Sequence, residues 1–273
     1  MKHVISASRR TDIPAFYLDW MIEHLKKGYV RVKNPFYPAQ VSTVSLKKED
    51  VHSIVFWSKD FSKFLDQISE FSDYNLFFQF TINDCKQLEP NIPSLNQRLL
   101  QMKKLVAEFG PKVIRWRFDP IVFWKENDEV KDNLGSFDTI LENMANLGLK
   151  ECFFSFATWY DKCKSRADKR KFQYFVPTKK KQLKITKELA DKCREKNITM
   201  LACCNEHLAV VKNVKIGRCI DGELLTKLFK EKCSVAKYGT RKTCQCTANK
   251  DIGNYNDQIC HHSCLYCYAN PKI

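Results

Sequence analysis

Between His3 and Cys204, short apolar runs alternate with longer stretches in which apolar positions recur every three to four residues. The first read as strands and the second as amphipathic helices, and their alternation marks a βα-repeating fold. The pattern predicts strands at residues 3–8, 53–58, 76–82, 113–118, 152–157 and 199–204. It predicts helices near 14–27, 61–71, 95–109, 137–147 and 178–196. Asp12, just ahead of Pro14, suits a helix start: a carboxylate caps the first turn and the proline ring pre-sets it. Residues 29–44 add a strand or a hairpin. Beyond Cys204 the pattern fades to one helix near 223–230 and a tail rich in glycine and cysteine.

Successive side chains of a strand point to opposite faces, so each strand also reports what it faces. Phe78, Phe80 and Ile82 share one face, and Gln79, Thr81 and Asn83 the other; Trp116 and Phe118 oppose Arg115, Arg117 and Asp119. The strand from Thr199 carries Cys204 and Glu206 on one face at its end. Two architectures satisfy this. An antiparallel sheet with one solvated face is one; a barrel with helices outside and polar groups at its mouth is the other. The polar residues gather toward strand C-terminal ends, where barrel active sites lie. The expected fold is therefore α/β, a TIM-like barrel, complete or partial, over residues 1–235. A cysteine-rich tail, 236–273, would close over its mouth.

A chain of 273 residues is long enough for one such barrel. It contains no apolar run of about 18 residues, and its first ten residues lack a signal-peptide pattern, so a cytoplasmic protein without membrane contact is expected. Thirteen cysteines there argue for metal binding over a disulfide framework. The formal charge of +15 raises nucleic acid as a partner. Lysines outnumber arginines and are spread along the predicted helices, however, which equally describes solvated faces. The densest basic segment is Lys169-Arg170-Lys171 followed by Lys179-Lys180-Lys181.

Cys260, Cys264 and Cys267 stand at C-x3-C-x2-C spacing, with Tyr266 before the last and Tyr268-Ala269 after it. Three thiolates on one short loop can hold an iron–sulfur cluster and leave one iron without a protein ligand, open to a small molecule. Zinc sites usually fill four positions from paired hooks. The spacing resembles that of the radical S-adenosylmethionine (SAM) enzymes, and the CYA run is similar to the spore photoproduct lyase group among them. In those enzymes the three cysteines follow the first strand; here only Pro271, Lys272 and Ile273 follow Asn270. The whole chain, through SASRRTDIPAFY, IVFWSKD, FQFTIN, RWRFDPI and the terminal CYAN, resembles domain-of-unknown-function family 1848. The resemblance implies a 4Fe–4S cluster whose open iron chelates SAM, reductive cleavage to a 5′-deoxyadenosyl radical, and hydrogen abstraction from a substrate. It implies an electron donor such as flavodoxin or ferredoxin, and a small-molecule or nucleotide-like substrate. The alternative for the triad is a structural metal that staples the tail. His261 and His262, inside the loop, serve either its structure or ligation.

Cys204, Cys219, Cys244 and Cys246 form a second candidate set, suited to an auxiliary iron–sulfur cluster or a structural zinc, or else unligated buried thiols. Cys203 and the remaining cysteines read as core or incidental. At the expected mouth, Arg117 and Glu206 are the candidate catalytic residues. Arg9, Arg10, Asp12, Lys59, Gln79, Arg115 and Asp119 are the candidate cofactor-binding residues. The arginines could clamp a carboxylate or phosphate, or form buried ion pairs. Asp12 could simply cap its helix, and Glu206 could hold the SAM amino group or ribose, or pair with an arginine. The leading expectation is a SAM-cleaving iron–sulfur enzyme. The competing one is a metal-stapled nucleic-acid-binding protein without catalysis.

Overall fold

The computed structural model describes residues 1–238, 243–269 and 271. Strand β1 (His3–Ala7) leads into helices α1 (Ile13–Phe16) and α2 (Leu18–Lys27), a hairpin of β2 (Tyr29–Lys33) and β3 (Val41–Ser45), and β4 (Val51–Ser58). Then follow α3 (Ser62–Asp66), β5 (Leu76–Thr81), α4 (Leu95–Phe109), β6 (Ile114–Ile121), β7 (Phe123–Glu126) and β8 (Glu129–Asp132). The chain continues through α5 (Phe137–Asn146), β9 (Glu151–Phe156), α6 (Asp161–Lys169), β10 (Gln173–Phe175) and α7 (Lys179–Glu195). It ends with β11 (Thr199–Ala202), β12 (Val214–Ile216), α8 (Gly222–Phe229) and β13 (Lys250–Asp251).

Eight strands form one sheet in the order β12-β11-β9-β6-β5-β4-β1-β13. Every neighbouring pair is parallel. The antiparallel alternative is thereby excluded for the main sheet, although β10, β7 and β8 make a small antiparallel sheet beside it. A closed barrel is not formed among the described residues, because β12 and β13 do not pair. These edge strands have three and two residues, too few for a closing ladder. Residues between them fill the gap instead: Thr247 donates its N–H to Ile220 O at 3.0 Å, and β13 then lies along β1.

The two faces of the sheet are unlike. Outward, Phe56, Phe78, Phe80, Trp116, Phe118 and Phe154 are buried against Met21, Phe64, Met102, Leu105, Ile140 and Leu189 of the covering helices. Each such aromatic contributes about 1.5–3 kcal/mol by leaving water. Inward, Val4, Val55, Phe77, Phe153 and Leu201 form a second apolar layer with Ile220, Leu225 of α8 and several cysteines. Above that layer, toward the strand C-termini, the inner positions turn polar.

Local sequence accounts for most helix ends. Asp12 caps α1, accepting from Ala15 N at 3.0 Å. Ser94 and Gln97 form a reciprocal capping box on α4. Gly28 closes α2 at φ 79°, which a residue without Cβ adopts freely. The single helix expected over 14–27 is broken at Tyr17, whose hydroxyl donates to Ile259 O at 2.7 Å. Among the described residues, no helix is long and apolar enough to cross a membrane.

The tail binds the sheet at Asp251. Gly253 follows it against Ser8, so close that a Cβ there would lie 2.1 Å from Ser8 Oγ and 2.6 Å from Ser8 Cβ. Gly253→Ala is expected to lower stability by about 1–3 kcal/mol through this overlap. A urea unfolding midpoint unchanged from the native protein would refute so close an approach.

Candidate functional site

A cavity of about 250 Å³ opens at the C-terminal ends of the parallel strands, just below the roughly 300–1,000 Å³ common for ligand pockets. Ser8 follows β1 there, Lys59 follows β4, Thr81 ends β5, Arg117 and Asp119 come from β6 and Ser155 from β9. The tail supplies the other wall, including all three cysteines of the terminal triad. Ligands gather at this end of parallel sheets because loops from successive strands converge there.

The triad loop is held on every side. His262 Nε2 lies 2.8 Å from Oδ2 of Asp12, the residue that caps α1; Oδ2 also accepts from Lys59 N at 2.9 Å, and Oδ1 from Ser58 Oγ at 2.7 Å. Asn91 donates to His261 O at 3.1 Å and to Ser263 Oγ at 2.8 Å. Leu265 N reaches Leu88 O at 3.0 Å, Tyr268 donates to Arg9 O at 3.0 Å, and Arg166 donates to Cys267 O. His262 is thus engaged in loop structure. Burial pushes the Cys260 thiol up to about 12, the Cys264 thiol well above the usual range, and the Cys267 thiol up as well. Such thiols give up their protons to a metal rather than to water.

Three cations line the same cavity, each steered by a carboxylate. Lys59 Nζ donates to Glu89 Oε1 at 3.0 Å and to Asn83 Oδ1 at 2.9 Å, and Tyr266 donates its hydroxyl to the same Glu89 oxygen. Glu89 is wholly buried, and its Oε2 has no hydrogen-bond partner among the described residues. Arg117 pairs with Asp119, which also accepts from Ser155, and its Nη1 lies 3.2 Å from both Gln79 Oε1 and Cys219 Sγ. Its guanidinium sits 5.2 Å from the Trp57 ring centre. Burial works against that charge, but Cys219 and Asp119 outweigh it and hold Arg117 firmly protonated. Arg9 Nη2 donates to Asn249 Oδ1 at 2.7 Å, and Nε lies 3.6 Å from Asp251.

Of the candidate mouth residues, Arg9, Asp12, Lys59, Arg117 and Asp119 line this cavity. Gln79 and Arg115 do not: Gln79 donates to Cys219 O at 2.6 Å, and Arg115 to Arg218 O and Glu151 at 2.8 Å each. Arg10 turns to Gly253 O, 3.0 Å away. Glu206 is exposed, opens a 3-10 turn and accepts from Gln245 at 2.8 Å, outside the cavity. Strand β11 ends at Ala202 and Cys204 adopts φ 55°, so the alternation projected as far as Glu206 had already stopped. Lys179, Lys180 and Lys181 are exposed at the start of α7 and line no part of the cavity.

The second thiol set also faces the cavity, and Cys203 belongs to it. Its sulfur lies 3.3 Å from Cys219 Sγ and 3.9 Å from Cys204 Sγ. Cys244 and Cys246 line the same cavity wall. Contacts from Cys203 and Cys246, reinforced by Arg117, bring the Cys219 thiol well below the ordinary value. Leu201 and Cys203 face inward, which brings Cys203 against Cys219, while Cys204 lines the cavity beside them. Among the described residues, no three or more His, Cys, Asp or Glu side chains already surround one point as metal ligands.

Glu89, Arg166 and Asp251 escaped the sequence reading. Each lies in a polar stretch, where no period or spacing marks it.

The family model described as "Domain of unknown function (DUF1848)" matches residues 4–269. A comparison with curated proteins finds no match.

Proposed function

The chain belongs to the DUF1848 family, and we propose that it is an iron–sulfur enzyme that cleaves SAM and abstracts hydrogen from a bound substrate. One observation carries the reading: Cys260, Cys264 and Cys267 share a single cavity with Arg9, Lys59 and Arg117 at the C-terminal ends of parallel strands. The donor set fits a 4Fe–4S cluster with one iron free of protein ligands: two buried thiols, Cys260 and Cys264, and the half-buried Cys267, on a loop whose backbone is already fixed. Held by Cys260, Cys264 and Cys267, such a cluster would supply the one-electron reduction, drawn from a ferredoxin- or flavodoxin-like donor, that splits the S–C5′ bond of SAM into methionine and a 5′-deoxyadenosyl radical. On this reading the curled sheet is a partial TIM-like barrel, and the tail delivers the loop to its mouth.

The chain's own residues bind, orient and shield. Arg117 and Arg9 offer guanidinium forks to the SAM carboxylate or an anionic substrate group, where partial burial strengthens charge-assisted bonds. The Asp12–His262 contact fixes the loop that presents Cys260 and Cys264. Tyr266 and Lys59, tied through Glu89, close the side next to Cys264. Substrate, a small molecule or nucleotide-like group, would occupy the space beside Ser155 and Tyr160.

Anaerobically reconstituted protein is expected to bind iron and sulfide in equal amounts at the triad. Its reduced cluster should give an EPR signal that shifts when SAM is added, and dithionite with SAM should release 5′-deoxyadenosine. Zinc without iron after anaerobic preparation would overturn the proposal.

A further inference from the structure

We propose that Cys203, Cys219, Cys244 and Cys246 hold one thiophilic divalent ion of the zinc class, at a centre separate from the terminal triad. This inference does not rest on the SAM reading. Three separate stretches of chain, after β11, after β12 and in the tail, bring these thiols together, all of them buried. Buried cysteines often pack as small apolar groups, but such packing does not require thiols from three segments to gather on one cavity wall.

One sulfur–sulfur distance is already close to what a single ion needs. Metal–sulfur bonds of about 2.3 Å in a tetrahedron set sulfur–sulfur edges of about 3.8 Å. Cys203 and Cys219 stand at 3.3 Å, and Cys244 and Cys246 line the same cavity wall. Binding requires Cys244 and Cys246 to turn toward that pair. Cys204 approaches the set through Cys203, at 3.9 Å, and would be left as a neighbour.

The surroundings are built for negative charge. Four thiolates around a divalent ion carry a net double negative charge. Arg117 Nη1 donates to Cys219 Sγ at 3.2 Å, Ile220 N reaches Cys246 Sγ at 3.5 Å, and the Arg9 guanidinium is favoured by the same sulfurs. A closed four-thiolate centre here would tie the tail to β11 and the turn after β12. It would fix the path into β13 and, beyond it, the triad loop.

The test is metal content. A variant with Cys260, Cys264 and Cys267 all replaced by alanine is expected to retain about one zinc per chain, without acid-labile sulfide. Cys244→Ser with Cys246→Ser should lose that zinc while keeping the iron of the triad. Cys203→Ser should lose it and Cys204→Ser should not. If these variants do not fold, zinc K-edge absorption on the native protein should show four sulfurs at about 2.3 Å. A folded triad variant without metal, retained iron with equimolar sulfide, or native protein without zinc would each overturn the proposal. Failure of the SAM reading would leave the zinc in place, so the two outcomes are separable.

Discussion

Replacing Asp251 with alanine is expected to destabilise the fold by about 3–5 kcal/mol, the scale of removing one partner from a buried charged network. The carboxylate accepts from Ser6 Oγ at 2.8 Å, Ser8 Oγ at 2.5 Å, Arg9 N at 2.9 Å and Gly253 N at 3.1 Å. Arg9 and Arg10 add guanidinium nitrogens at 3.6 and 3.8 Å, and the Asp251 side chain is only 7% exposed. Alanine strands four donors and two cations, and each buried orphan costs about 1–3 kcal/mol. Strand β13 is only two residues long and pairs with β1 at two positions, so little else holds the tail at that edge. The unfolding midpoint in urea should fall with an unchanged slope, and iron retained per chain should fall with it. Asp251→Asn, which keeps the shape and part of the hydrogen bonding, should lie between. A change below about 0.5 kcal/mol would show that the tail is anchored elsewhere.

The main sheet was legible because its strands carry a strong period. Six apolar runs correspond to β1, β4, β5, β6, β9 and β11, and the helix expected over 95–109 is α4 itself. The polar inner face of β6 also read correctly, since Arg115, Arg117 and Asp119 oppose Trp116 and Phe118 in the fold. What failed did so for identifiable reasons. Helix α6 shows no apolar stripe because only Cys163 and Ala167 are buried in it. Strands β7 and β8 are short, and their turn is set by Asn127 and Asp128 at positive φ rather than by alternation. Strand β13 exists only because Asp251 is drawn to β1 by contacts some 240 residues away in sequence, which local pattern cannot reveal. The terminal triad was visible by spacing, whereas the second thiol set depends on inward parity at a strand end, where Cys203 and Cys204 differ by one residue.

Arg117→Ala is expected to weaken SAM or anionic-substrate binding roughly ten- to hundred-fold, the equivalent of a charged hydrogen bond worth about 1.5–3 kcal/mol. Arg117 is the deepest of the cavity cations, and its orientation is set by Asp119, Gln79 and the Trp57 ring. Its loss would leave Ser155 as the remaining donor to Asp119 among the contacts seen here. It would also leave the Asp119 carboxylate without its guanidinium partner and weaken the cavity's attraction for an anion. Iron at the triad should remain near the native level, because Arg117 does not belong to the contacts that fix that loop. Zinc content should be measured alongside, since the same guanidinium touches Cys219. Arg117→Lys restores the charge without the planar fork and should recover only part of the affinity. Anaerobic equilibrium dialysis with SAM separates these outcomes. Unchanged SAM affinity, or iron lost in step with affinity, would remove Arg117 from the binding site and leave it as a structural ion pair beneath the cavity floor.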